Sequence, residues 1–159
     1  MPIQNIRVKV SRKYSQLYRD LTSDKPPIRT IKGFDQHRDL FVLCCCLGYR
    51  FNVQNDLEKP EDLFWSHSLD TYQETVLKAI AINSTGNVNL NIIHNDADII
   101  RIAEGYADKG MDILLENVLS PYVKEADGKY LIDYNDKSFL QKDLLVFIQG
   151  EHKKTPFEY

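Results

Sequence analysis

The chain has 159 residues, 43% of them hydrophobic, 11% aromatic and 27% charged, and its formal net charge is −3. That is the length of one domain with enough apolar material for a core, which excludes wholesale disorder. The longest apolar run, Leu40 to Leu47, covers about two helical turns, far short of the roughly 18–20 residues that span a bilayer, so no membrane association is expected.

The charge is unevenly spread. Residues 1–32 hold eight basic groups (Arg7, Lys9, Arg12, Lys13, Arg19, Lys25, Arg29 and Lys32) against Asp20 and Asp24, a net of +6. The remainder holds 12 basic and 21 acidic groups, a net of −9. The asymmetry marks residues 1–33 as a basic N-terminal segment on an otherwise acidic protein.

In chain order, Ile6, Val8 and Val10 alternate with Arg7 and Lys9, the pattern of a short strand or an extended arm. Ser11 is placed as the N-cap of a first helix with Tyr14, Leu17, Tyr18 and Leu21 on its apolar face. Pro26 and Pro27 end it within a loop from Ser23 to Gly33. A second helix is expected from Asp35 to Leu47, apolar all round and therefore central, with Gly48 just past its end. Residues 52–62 are polar and read as an exposed loop.

The third helix starts near Asp70, where Gln73 completes a capping box, and its stripe is Tyr72, Val76, Ala79 and Ile80. Val88, Leu90 and Ile92 alternate with asparagines, as a short strand or an extended link would. Asn95 or Asp96 caps a fourth helix whose apolar stripe runs from Ile99 to Val118, ended by Pro121. Gly105 and Gly110 weaken that helix by about 1 kcal/mol each relative to Ala, which calls for a kink or a close helix contact. Asp127-Gly128 between two apolar pairs is a hairpin turn. Ser138 and Gln141 form a capping box for a fifth helix closed by Gly150. The expected architecture is a mainly α, single-domain bundle of five helices over residues 1–150, with a short hairpin, an N-terminal strand and a flexible tail at 151–159.

Motifs for catalysis are scarce. There is no phosphate-binding glycine loop, no H-E-x-x-H, no G-x-S-x-G and no C-x-x-C, and His37, His67, His94 and His152 are scattered. No catalytic residue, metal ligand or cofactor is assigned. Cys44, Cys45 and Cys46 are consecutive, which argues against a disulfide framework and for small apolar packers. With no apolar leader in the Met-Pro-Ile-Gln start, they suggest a reducing cytoplasm.

Two charged groups remain. Glu104, Asp108, Asp112 and Glu116 recur every four residues and so share one helix face. They read first as a solvated face, then as an acidic docking face for a basic partner, then as the metal platform of a metal-dependent nuclease. Arg7, Lys9, Arg12, Lys13 and Arg19 form the better lead, a surface for nucleic-acid phosphates or an acidic protein. Arg12 and Arg19, seven apart, lie near one face. Pairing of this segment with the acidic helix inside the chain would account for both.

The run Asp39-Leu40-Phe41-Val42-Leu43 through Leu47-Gly48-Tyr49, the helix end Asn83-Ser84-Thr85-Gly86-Asn87, and Ile102-Ala103-Glu104-Gly105-Tyr106-Ala107-Asp108-Lys109-Gly110 follow in order. Over residues 35–120 this resembles the Dnd system-associated protein four family, small accessory proteins encoded beside bacterial DNA-phosphorothioation and related anti-phage islands. Cys44–Cys46 and the acidic 52–62 insertion depart from the pattern, and no site residues carry over. The resemblance implies a cytoplasmic, non-enzymatic accessory component of a phosphorothioation-linked restriction or antiviral defence system. Its expected partners are a larger subunit of the complex and double-stranded DNA, with a protein-only adaptor or homodimer as the alternative and a nuclease behind that.

Overall fold

The computed structural model describes residues 3–22, 34–84, 86–133 and 139–154. It is mainly helical, with five α-helices and two short antiparallel strand pairs. In order these are β1 (Arg7–Ser11), α1 (Arg12–Thr22), α2 (His37–Arg50), β2 (Pro60–Trp65), α3 (Thr71–Asn83), α4 (Asp96–Leu114), β3 (Val123–Ala126), β4 (Lys129–Ile132) and α5 (Leu140–Lys153). No described helix is long and apolar enough to cross a membrane.

The antiparallel pair α2 and α4 forms the centre. Two glycines let their backbones touch: Gly48 of α2 lies on the Tyr106 backbone, and Gly110 of α4 lies on the Cys44 backbone. Gly48 is therefore a contact residue inside α2, which continues to Arg50, and not the residue that ends it. Cys44 and Cys45 are buried in this seam and Cys46 is half-buried. Burial pushes the Cys44 thiol up to about 12 and raises that of Cys45, so both pack as neutral groups.

α3 opens with the expected reciprocal cap: the Gln73 N–H donates to Asp70 Oδ1 at 2.8 Å, and the Asp70 N–H to Gln73 Oε1 at 3.1 Å. Its buried face is Gln73, Leu77, Ile80 and Ala81, whereas Tyr72 is 77% exposed. The helix is turned from the predicted stripe because Gln73 reaches inward to Asp39 Oδ1 at 2.9 Å. Residues Leu90–His94 form a 3-10 helix, not a strand. Asn95 caps α4 by accepting the Asp98 N–H at 3.1 Å. After Leu114 the helix widens into a π-turn over Leu115–Leu119.

Asp127 and Gly128 both take positive φ, 54° and 73°, as the two-residue hairpin turn between β3 and β4 requires. The outer edge of β4 is closed by α1: buried Asp20 accepts the Ile132 N–H at 3.1 Å and the Gln16 amide at 2.8 Å. β2, inside a region read as loop, pairs antiparallel with β1. Gly150 lies inside α5, which carries on to Lys153 with Glu151 buried, so residues 151–153 are helix and not tail. The Ser138 cap, the 23–33 loop and residues 155–159 lie outside the described residues.

Candidate functional site

The basic arm and the acidic helix meet. β1 runs beside α4, and three successive groups of the arm address three successive carboxylates. The Lys9 N–H donates to Glu104 at 3.2 Å, the Ser11 hydroxyl to Asp108 at 2.5 Å, and the Tyr14 hydroxyl to Asp112. Strand and helix advance differently per residue, but 9, 11 and 14 spread over the strand end and first helical turn match the pitch of 104, 108 and 112. Asn55 adds one amide shared between the aspartates, at 3.1 Å from Asp108 Oδ2 and 2.8 Å from Asp112 Oδ2. Ser11 in turn accepts the Glu58 N–H at 3.0 Å, so its side chain serves this junction instead of capping α1.

Asp108 is only 6% exposed, which overturns the reading of this face as solvated. The row has three members: Glu116 falls in the π-turn, whose wider winding carries it off the line, and it is exposed. Burial raises the Glu104 carboxyl to about 7 against the pull of the Lys9 N–H and the charges of Lys9 and Arg101. Burial also raises Asp108, opposed by the hydrogen bonds from Ser11 and Asn55. Tyr14 is held neutral by burial and by its bond to Asp112, and its ring stacks on Tyr130 at 5.8 Å.

The cations of the arm turn mostly to a second acidic group, on the segment leading into β2. Arg7 pairs with Asp62 at 3.3 Å while lying 4.8 Å from the centre of the Trp65 ring. Arg12 pairs with Glu61 at 3.7 Å and Lys13 with Glu58 at 3.9 Å. Lys129 also reaches Glu61, at 3.7 Å. The Ser15 hydroxyl, then Lys129, Arg19 and Arg12, hold Glu61 below the usual carboxylate range. The side chains of Lys9 and Arg19 are exposed. The acids that answer the arm were missed as site residues, although Glu58, Glu61 and Asp62 form an acidic run of opposite sign to it.

The junction lacks the parts of a hydrolytic centre. Ser11 is buried with its proton directed at Asp108, while His37 pairs with Thr22 and His67 with Asn5, away from it. Among the described residues no three His, Cys, Asp or Glu side chains converge into a metal-binding group. What the arrangement does chemically is hold negative charge, and at Glu104 a proton, under neutral donors.

A family model described as DNA sulphur modification system-associated protein 4 matches residues 7–144. The chain belongs to that family. The match extends beyond residues 35–120 on both sides: it begins at the first residue of β1 and ends within α5. The arm, its acidic partners and the carboxylate row of this DNA sulphur modification system-associated protein 4 chain thus all lie within the family region. No curated protein and no solved structure matches the chain.

Proposed function

We propose that this chain is a non-enzymatic accessory component of a phosphorothioation-linked defence system, and that it works by binding a larger protein component of it. The family's association with DNA sulphur modification supports the setting. The observation that carries the binding mode is the pairing of Arg7, Arg12 and Lys13 with Asp62, Glu61 and Glu58. A cation already matched to a carboxylate releases little counterion on meeting a phosphate, so the +6 of the N-terminal segment overstates its pull on DNA. The test is co-expression of the tagged chain with the protein components of the system, purified with and without nuclease. A stoichiometric complex that survives nuclease treatment supports the reading.

DNA contact is the second reading, favoured by the crowding of Arg12, Arg19 and Lys129 around one carboxylate, Glu61. If it holds, duplex binding falls steeply with salt, and Arg12→Glu with Arg19→Glu abolishes it. Absence of duplex binding at low salt removes this second reading.

A further inference from the structure

α2 and α5 each show solvent a stripe of residues at helical spacing, and the two stripes face each other. On α2 the stripe is Leu43, Cys46, Leu47 and Arg50, and on α5 it is Ile148, Glu151 and His152; together they line a cavity of about 240 Å³. Leu145 continues the α5 stripe, being three residues before Ile148 and seven before His152, and it is 57% exposed. The helices are tied at one end only by groups an external partner does not need. Arg50 donates to the Lys154 carbonyl at 3.2 Å and pairs with Glu151 at 3.7 Å, and Lys154 Nζ takes the other Glu151 oxygen at 2.6 Å. Away from this tie the walls are apolar.

The sequence of α5 sharpens the point. Leu144-Leu145-Val146-Phe147-Ile148 is apolar on every side, as in a helix meant to be covered all round, yet Leu144 alone of the five is buried. The tied end has a sign as well. Arg50, Lys153 and Lys154 stand against the single carboxylate of Glu151, so the mouth of the groove carries an excess of positive charge.

We infer that the α2–α5 groove is the docking surface for the protein partner, and that its occupant is an acidic, amphipathic segment. An apolar side chain of that segment fills the space between Leu43, Cys46 and Ile148, and a carboxylate meets the Arg50–Lys153 end. This is recognition of an apolar anchor in a groove with a charge fixing its direction. The inference rests on the partner-binding reading above and names where that binding occurs.

The experiment compares the full-length chain with Leu145→Asp and Lys153→Glu in the same co-expression with the system's protein components. Both side chains are exposed, so the variants fold, as circular dichroism and melting temperature check. A photo-reactive phenylalanine derivative at Leu145 maps the contact, with one at exposed Tyr72 as the remote control. Expected are at least tenfold weaker complex formation for Leu145→Asp, several-fold weaker and less salt-sensitive binding for Lys153→Glu, and cross-linking at 145 to an apolar-acidic peptide of a component. A complex that forms unchanged with both variants, or cross-links from 72 and not from 145, overturns the groove assignment while the partner reading stands. Failure of the unmodified chain to bind any component overturns both.

Discussion

Gly110 lies against the backbone of Cys44 so closely that a methyl group on it would sit 1.7 Å from the Cys44 carbonyl oxygen. The reciprocal contact, a methyl at Gly48 against the Tyr106 carbonyl at 1.9 Å, repeats it one turn along the antiparallel pair. Neighbouring backbone cannot move aside as a flexible side chain can, so any Cβ here forces the two central helices apart. Gly110→Ala is therefore expected to cost roughly 3 kcal/mol or more, although alanine improves helix propensity by about 1 kcal/mol. Gly150 in α5 meets nothing within 4 Å, and Gly150→Ala is expected to stabilise by up to about 1 kcal/mol. Urea denaturation of the two variants checks the opposite signs.

Glu104 makes stability depend on pH in an unusual direction for a carboxylate. Burial raises its carboxyl from the ordinary 4.5 to about 7, so between those values the folded chain holds a proton that the unfolded chain has released. Stability from this group is then full below about pH 4.5 and is lost as pH rises through 7. Glu104→Gln keeps an oxygen for the Lys9 N–H and removes the charge. It is expected to raise the melting free energy at pH 8 by roughly 1–2 kcal/mol, a figure discounted because solvent still reaches the half-buried group. It should also flatten the stability profile between pH 5.5 and 8, as thermal melts across that range would read.

Arm pairing predicts a salt response of the fold itself. Arg7–Asp62, Arg12–Glu61 and Lys13–Glu58 are all partly exposed, and such pairs contribute about 0–1 kcal/mol each. Reversing Glu61 to Lys places a fourth cation among Arg12, Arg19 and Lys129. Glu61→Lys is expected to destabilise by roughly 1 kcal/mol at low salt, with the loss shrinking toward 1 M salt as screening shortens the range of repulsion. Denaturation midpoints at the two salt concentrations are the measurement.

Local signals in the sequence carried well where a single element decided the outcome. The Asp70–Gln73 cap, the Asn95 cap and the Asp127-Gly128 turn are short-range chemistry, and each stands where it was expected. The glycines of α4 were recognised as costly, and Gly110 proved to be a contact with α2. What could not be read was pairing at a distance. β2 opens Pro60-Glu61-Asp62, a poor strand by propensity, and exists because β1 offers it a ladder and cations. Likewise the four-residue spacing of Glu104, Asp108 and Asp112 gives one helix face but not what covers it, and the covering groups come from residues 9–14 and 55. The even spacing also hid the π-turn that removes Glu116 from the row.

Asn55 is the residue on which that row most depends, because one side-chain amide serves two carboxylates that would otherwise repel across a turn of α4. Its backbone N–H adds a bond to the Gly105 carbonyl at 3.1 Å, fixing the segment so that the amide is aimed correctly. Asn55→Ala removes both donors and leaves Asp108 with Ser11 and Asp112 with Tyr14, a loss of roughly 1–3 kcal/mol. Asn55→Asp has nearly the same shape but sets a third carboxylate between the two, and is expected to cost more than the alanine variant at pH 8. The two variants then separate by their response to acid. Crowded carboxylates in the aspartate variant take up a proton in the folded state above the unfolded value, so its stability recovers as pH falls toward 5. Alanine carries no such charge and its deficit relative to the natural chain changes far less over the same range. Chemical denaturation of both variants at pH 8 and pH 5 decides the matter: equal deficits at the two pH values for Asn55→Asp mean that charge is not what Asn55 manages.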